Sequence, residues 1–279
     1  MIIGLPEIEL FAQGHRSCAG CGSALTMRYV LKATGKDTIV VQNTGCLEVT
    51  TTPFPETAWE VPYIHVAFEC GAAVASGVER ALKKLNKKAN IIVFGGDGGT
   101  FDIGFQALSG MIERGHKICY VCNDNEAYQN TGIQRSGSTP KYASTTTSPF
   151  GSKIHGKQEL KKPLPFIIAA HRLPYVATAS IAYPQDVVKK VQTALSQDGP
   201  TYLQVFSPCV PGWKYDPSQT VAIAKLAVET GVTPLYEILH GKLSLRKIEN
   251  RKPVKDYYSA QGRFKGMNDK ELEEVQKYV

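Results

Sequence analysis

NIIVFGGDGGT, Asn90–Thr100, is the stretch whose reading decides the fold. Its first five residues are a short apolar run rich in β-branched side chains, and glycines cut it off. Asn90–Phe94 therefore reads as a buried strand. A helix is expected after the glycines, over Phe101–Arg114, stopped by Gly115. Working outward, Thr38–Asn43, Ile64–Ala67, Lys117–Val121, Pro174–Thr178 and Thr201–Phe206 read as further short strands. Helix-length segments, Gly22–Ala33, Gly71–Leu85, Leu164–Ala170 and Gln185–Ser196, lie between most of them. Near-continuous apolar strands that alternate with helices predict an α/β fold, a parallel sheet with helices on both faces.

Two regions break the alternation. Asp124–Pro163 is rich in Ser, Thr, Gly and Pro, and a connection of that length is usually functional or disordered. After Gly231 the pattern shifts to a hairpin, Leu235–Ile248 around His240-Gly241, and then to a charged terminal helix, Asn268–Tyr278. The expected division is a main domain over residues 1–232 and an accessory segment, 233–279, packed on it.

The glycine loop carries a chemical signal. Glycine lets backbone N–H groups approach an anion, and a helix N-terminus favours one. An aspartate there would repel a phosphate directly. It makes sense as the ligand of a hard cation that bridges to the phosphate, and Mg²⁺ takes oxygen ligands in octahedral geometry. The strand KICYVC ends in Asn123-Asp124-Asn125-Glu126-Ala127-Tyr128. Neighbouring parallel strands share one crevice at their C-terminal ends. Asn125 and the Ala127 carbonyl should thus lie beside Asp97. Alone, Gly-Gly-Asp-Gly-Gly reads first as a tight turn; the pairing with Asn125 makes it specific.

Composition narrows the class. The chain has 279 residues, 43% of them hydrophobic, enough for a substantial core. No apolar stretch is long enough to cross a bilayer. The N-terminus, MIIGLPEIELFAQGHRS, lacks the regions of a signal peptide, so a soluble cytoplasmic protein is expected. Net charge is +7, but Lys83, Lys84, Lys87, Lys88, Lys161 and Lys162 read as solvated faces. No basic stripe is interleaved with aromatics, so no nucleic-acid partner is expected.

Seven cysteines is an odd count, and without a secretion signal it points to metal or redox chemistry rather than disulfides. Cys18-Ala-Gly-Cys21 precedes a helix, whose N-terminus stabilises thiolates. Zinc would want a second CxxC or a nearby His pair. A thioredoxin-like site would want a strand just before the motif. An iron–sulfur cluster needs four thiolates, which distant segments can supply. Cys46 follows the first strand and Cys209 the last, both at C-terminal ends. Cys119 and Cys122 lie three apart on one strand, so they face opposite ways. Cys70 begins a helix and reads as packing. Taken alone, any of the seven could simply be buried.

Asp97-Gly98, then 26 residues, then Asn125, is the spacing of the thiamine diphosphate motif of transketolase-like and pyruvate-decarboxylase-like enzymes. The segments GHRSCAGCG, NTGCLEVTTTPFPETAW, GGDGGTFDIGFQALSGMIERGH, DNEAYQNTGIQRSGSTP, ATASIAYP and SPCVPGW, within Gly14–Trp213, go further. They resemble the β subunits of the 2-oxoacid:ferredoxin oxidoreductase family, the pyruvate:ferredoxin oxidoreductases (pyruvate synthases) in particular.

The resemblance implies the thiamine-diphosphate-binding fold of the diphosphate type over residues 1–232. It implies Mg²⁺ on Asp97, Asn125 and the Ala127 carbonyl, with Gly96, Gly98, Gly99 and Tyr128 also at the cofactor. Asn125 stands where some long single-chain relatives carry threonine. Thr44, Gly45 and Cys46 would lie near the cofactor's rings, and Asn130 and Thr131 near the bound 2-oxoacid. Cys18, Cys21, Cys46 and Cys209 would hold a [4Fe–4S] cluster. His65 and Glu69 lie near a strand end, with a packing or surface role equally open. The implied activity is reversible oxidative decarboxylation of pyruvate to acetyl-CoA and CO₂, with electrons passing to ferredoxin. The activating glutamate of thiamine enzymes would come from an α subunit with the pyrimidine-type domain, beside γ and δ (ferredoxin-like) subunits. The rivals are the same chemistry on 2-oxoisovalerate, 2-oxoglutarate or indolepyruvate, and a non-catalytic metal- or nucleotide-binding module. The lack of GxxxxGK[ST] speaks against the last.

Overall fold

The computed structural model describes residues 4–279. Helix α1 (Gly22–Thr34) leads into β1 (Thr38–Asn43) and the one-turn α2 (Cys46–Val49). β2 (Tyr63–Val66) is followed by α3 (Gly71–Lys84). β3 (Asn90–Gly96) runs into a π-helical turn, Gly98–Ile103, and then α4 (Phe105–Glu113). β4 (Cys119–Asp124) opens the long connection that ends at α5 (Leu164–Ala169). β5 (Tyr175–Ser180), α6 (Pro184–Ser196), β6 (Thr201–Phe206), the one-turn α7 (Val210–Trp213) and α8 (Thr220–Glu229) come next. The tail holds β7 (Tyr236–Leu239), β8 (Lys242–Leu245), α9 (Val254–Ser259) and α10 (Asp269–Gln276).

All eight strands lie in one sheet, in the order β2-β1-β3-β4-β6-β5-β7-β8. The alternation of side chains sorts the core into two layers. Val40, Ile92, Phe94, Val121 and Leu203 pack under α1 and α6, against Met27, Leu31, Val187 and Val191. Val41, Ile91, Val93, Tyr120 and Tyr202 pack on the other face under α3, α4 and α5, against Ala75, Leu108, Met111 and Ile168. Each fully buried aliphatic contributes roughly 1.5–3 kcal/mol, which is why both faces must be covered. Cys119 and Cys122 fall in opposite layers, as their spacing requires.

The sheet is not wholly parallel. β1 to β6 pair in parallel, but β7 runs antiparallel to β5 and β8 antiparallel to β7. The tail hairpin therefore continues the main sheet. Its two-residue turn has positive φ at His240 (47°) and Gly241 (79°), which matches strand twist. The helix expected over Phe101–Arg114 is split, because Gly104 N–H bonds the Gly99 carbonyl five residues back, at 3.0 Å. Such π turns are frequent at functional sites. Helix α8 has no counterpart in the sequence reading. It buries Ile223, Ala224, Ala227 and Val228 as one stripe.

Past the end of β4, the long connection, 125–163, contains no helix or strand, yet Ser136, Ser138, Thr139 and Lys157 within it are buried. A third core cluster joins Tyr142 and Ala143 of this connection to Trp213, Ile223, Tyr257, Tyr258 and Phe264. Residues 233–279 thus brace the connection from behind. No helix among the described residues is long and apolar enough to cross a membrane.

Candidate functional site

A cleft of about 260 Å³ opens at the C-terminal ends of β1, β3 and β4. Thr44, Gly45, Cys46, Gly96, Asp97, Gly98, Asn125, Ala127, Tyr128, Asn130 and Thr131 all line it, with Gln42, Asn123 and Gln129. The strand order produces this convergence. Gly96 pairs with Asn123 in register, so the residues after each strand meet side by side. Gly99, expected with them, does not line the cleft. It lies behind the loop, where an added Cβ would stand 2.9 Å from the Phe68 carbonyl. A larger cleft, about 510 Å³, lies at the opposite end of the sheet among Asp37, Lys83, Lys88 and Lys117, and holds none of the motifs.

Three oxygens meet at one point of the cleft. The Asn125 side-chain oxygen faces Asp97 Oδ1 and the Ala127 carbonyl oxygen, 2.9 Å from each. Oxygens that close repel. Turning the amide end for end would make its nitrogen the donor to both; a cation among them resolves the repulsion without the turn. Glu126 has a left-handed backbone (φ 64°), a conformation rare for a non-glycine residue and common at functional turns. That bend brings the Asn125 side chain and the Ala127 carbonyl to one side.

Asp97 is 1% exposed. Burial, and then the charge of Asp124, push its carboxyl well above the usual carboxylate range, while the Ser136 hydroxyl, which donates to Oδ2, pulls the other way. A buried carboxylate among acceptors calls for positive charge. Three buried side-chain oxygens of cleft residues, Gln42 Oε1, Asn123 Oδ1 and Gln129 Oε1, lack a hydrogen-bond partner among the described residues. Such orphans are expected where a ligand supplies the missing partner. The donor chemistry therefore fits a hard cation beside a polar ligand.

The loop is held from several sides. A Cβ on Gly98 would lie 2.5 Å from Tyr128 Cε1, so only glycine lets that ring pack on the loop. The Tyr128 hydroxyl donates to Asp102 Oδ2 at 2.9 Å, and Gly137 N–H donates to the same oxygen at 2.9 Å. Thr44 Oγ1 donates to the Val66 carbonyl at 2.9 Å and lies 2.7 Å from His65 Nε2. His65 Nδ1 is 3.7 Å from Glu48 Oε1. His65 thus reaches the cleft only through Thr44, and Glu69 lies outside the lining. Asn130 and Thr131 are exposed at the mouth, where Thr131 donates to Gln134 Oε1 at 2.5 Å. Ser136, Gln42 and Gln129 were not foreseen. Ser136 sits in a Ser/Thr-rich run where no spacing distinguishes one hydroxyl from the next.

Cys21 caps α1, Cys46 begins α2 beside the cleft, and Cys209 caps α7. Gly22 N–H donates to the Pro208 carbonyl at 3.3 Å, and a Cβ there would lie 2.7 Å from that oxygen. Glycine thus lets the CxxC loop close onto the Cys209 loop. Burial, and then neighbouring thiols, push Cys46 and Cys209 up to about 12. Cys21 is raised by burial, with Cys18 adding to it. The charges of Cys46, Cys21 and Cys18 thus reach Cys209, and a positively charged metal group there would favour thiolates. No three His, Cys, Asp or Glu among the described residues stand close enough to share one ion. Cys119 and Cys122 are buried within the sheet, and Cys70 caps α3 against the second core layer.

Comparison with known proteins identifies the family. Residues 43–205 match the family described as thiamine pyrophosphate enzyme, C-terminal TPP binding domain. The chain is 55% identical to pyruvate synthase subunit PorB of Methanocaldococcus jannaschii, over 100% of this chain and 97% of the relative. It is 44% identical to ketoisovalerate oxidoreductase subunit VorB of Pyrococcus furiosus, over 99% and 92%. A chain of 2-oxoglutarate:ferredoxin oxidoreductase from Magnetococcus marinus shares the fold, with a TM-score of 0.64 at 19% identity over 98% of this chain and 97% of that one. A thiamine-binding fold and near-complete matches of this strength place the chain in the pyruvate synthase PorB family of oxidoreductase subunits, among the thiamine pyrophosphate enzymes.

Proposed function

We propose that this chain is the cofactor-binding half of a cytoplasmic pyruvate synthase: with its partner subunits it oxidatively decarboxylates pyruvate to acetyl-CoA and CO₂, passing electrons to ferredoxin. The observation that carries the reading is the meeting of Asp97 Oδ1, the Asn125 amide and the Ala127 carbonyl at 2.9 Å, in the same cleft as Cys46. When bound, thiamine diphosphate supplies a nucleophilic carbon and an electron sink for loss of CO₂, and a [4Fe–4S] cluster supplies a one-electron acceptor.

This chain's own residues would do the holding. Asp97, Asn125 and the Ala127 carbonyl would ligate Mg²⁺ and so anchor the diphosphate, with Gly96, Gly98 and Tyr128 shaping the loop around it. Thr44, Gly45 and Cys46 would border the cofactor's rings, and Asn130 and Thr131 at the mouth would orient the 2-oxoacid. Cys18, Cys21, Cys46 and Cys209 would hold the cluster close by. Residues 1–232 act as the binding domain, and 233–279 as an accessory segment packed on it. One diphosphate-type domain is half of such a site. The activating glutamate then belongs to an α subunit, and further clusters to γ and δ subunits.

The relative named ketoisovalerate oxidoreductase keeps one second reading in view, the same chemistry on a branched 2-oxoacid. The test is to purify the native complex without oxygen and assay CoA-dependent reduction of ferredoxin or viologen with a panel of 2-oxoacids. Preference for pyruvate is expected, and preference for 2-oxoisovalerate selects the second reading. The isolated chain should be silent; turnover by it alone overturns the divided site. Extraction of a nucleotide instead of thiamine diphosphate overturns the enzyme reading.

A further inference from the structure

Behind the Asn125–Ala127 turn lies a buried ion pair that the reaction does not need for its chemistry. Arg263, in the C-terminal segment, donates from Nη2 to Glu126 Oε2 at 2.7 Å, with both side chains less than 5% exposed. Glu126 is the left-handed residue between Asn125 and Ala127. Its other carboxylate oxygen accepts from Lys161 Nζ at 2.9 Å, so the carboxylate is held away from the cleft. The Arg263 guanidinium lies over the Trp213 ring, its Cζ 3.6 Å from the centroid. Trp213 in turn donates from Nε1 to the Asn125 carbonyl at 3.0 Å, and that carbonyl also accepts from Gln129 Nε2 at 2.9 Å. Gln261 Oε1 orients Arg263 Nε at 2.9 Å.

Arg263, far away in sequence, thus bears on both flanks of the turn: on Glu126 directly, beside Lys161, and on the Asn125 carbonyl through Trp213. We infer that Arg263 is a positioning residue for the cation site: by clamping Glu126 and backing Trp213 it holds Asn125 and the Ala127 carbonyl aimed at Asp97. The inference rests on the magnesium reading above. A buried arginine whose partners are all satisfied could serve stability alone, but two features go beyond that. Arg263 reaches the turn on both sides, through Glu126 and through Trp213. The turn it grips is also left-handed, a conformation the surroundings must enforce. Outer residues that orient metal ligands commonly alter metal affinity about 10–100-fold when replaced.

The experiment uses the assembled complex, prepared without oxygen and stripped of divalent cations by a chelator. Mg²⁺ is titrated back, and retained thiamine diphosphate is read by thiochrome fluorescence beside iron content. Arg263→Met should raise the Mg²⁺ midpoint about 10–100-fold with iron unchanged, and Arg263→Lys should recover part of the loss. Trp213→Phe keeps the ring under Arg263 but removes the donor to the Asn125 carbonyl, and should shift the midpoint the same way. It decides the matter if Arg263→Met fails to assemble. A midpoint within about twofold of wild type in whichever of the two assembles overturns the inference. Asp97→Asn separates the two claims. If it keeps the wild-type midpoint, the cation reading itself has failed; if it loses Mg²⁺ dependence while Arg263→Met does not shift, only the positioning role has.

Discussion

Gly98→Ala adds one methyl group at the tightest point of the glycine loop. The new Cβ would lie 2.5, 2.6 and 2.8 Å from Tyr128 Cε1, Cδ1 and Cζ. Carbon atoms rest at about 3.5–4.0 Å, so the ring must retreat by roughly 1 Å. It is not free to do so. Its hydroxyl is bonded to Asp102, the Tyr128 backbone N–H bonds the Gln134 carbonyl at 2.9 Å, and Phe68 packs beside the ring at 5.7 Å between centroids, tilted by 46°. Overpacking of this kind costs about 1–3 kcal/mol, and loss of the bond to a charged acceptor about 1.5–3 kcal/mol. Because relieving one strain worsens the other, a total of about 2–4 kcal/mol is expected. Tyr128 follows Ala127 directly, so part of the strain moves the Ala127 carbonyl. At about 1.4 kcal/mol per tenfold, Mg²⁺-dependent cofactor retention should weaken by one to two orders of magnitude. Unfolding of the apoprotein by urea measures the strain, and thiochrome fluorescence across a Mg²⁺ titration measures its consequence. A variant with wild-type stability and wild-type Mg²⁺ midpoint would refute the packing argument.

Other outcomes follow from the same geometry. Asp97→Ala should abolish thiamine diphosphate retention in anaerobically prepared complex while leaving iron intact; a full complement of cofactor would remove the magnesium assignment. Replacing Cys18, Cys21, Cys46 or Cys209 by Ser should each cut iron content and the electron paramagnetic resonance signal sharply, since a hydroxyl ligates iron poorly. The same change at Cys70, Cys119 or Cys122 should cost about 0.5–3 kcal/mol of stability at most. Full cluster signal in Cys209→Ser, or its loss in Cys119→Ser, contradicts the grouping. Far from the cleft, buried Glu79 pairs with His116 Nδ1 at 3.1 Å and Lys83 Nζ at 2.5 Å. Burial alone would raise its carboxyl, but Lys83 and His116 bring it below the ordinary value. A depressed folded value means its contribution is full above the unfolded value, about 4.3, and is lost as pH falls through the lower one. Glu79→Gln should therefore cost about 1–3 kcal/mol at pH 7, a difference that fades as pH falls below about 4.3. Urea midpoints across that range check it, and a constant difference counts against it.

Most of the sheet was legible because buried parallel strands leave no ambiguity of face. Thr38–Asn43 and Thr201–Phe206 begin and end where the apolar runs do. The cleft residues were legible for a related reason: strand ends are where a parallel sheet gathers its chemistry, and Asp97 and Asn125 each close a strand. What stayed hidden depends on partners far apart in sequence. Ser136 matters only because the connection folds back on Asp97, and nothing local marks it. Arg263 looks like any tail cation until Glu126 is found beneath it. Helix α8 hides because its buried stripe faces a core built largely from the tail and the long connection, a surface no local periodicity announces. The hairpin was seen, but its union with β5 was not, since register across strands is a tertiary fact.

The position of β6 sets a timetable for synthesis. β6 lies between β4 and β5, although it is made after both. As the chain leaves the ribosome, β4 has no neighbour on that side until Thr201–Phe206 emerge, and β5 cannot join the sheet directly. The half-built sheet offers an open slot with unpaired backbone groups, the kind of edge on which chains aggregate. Cys18, Cys21 and Cys46 are already made in that interval, three thiols without Cys209. If the four thiols hold a cluster as proposed, its ligand set stays incomplete until β6 and the loop beyond it have been made. On that reading, closure of the open sheet edge and completion of the thiol set wait for the same late strand.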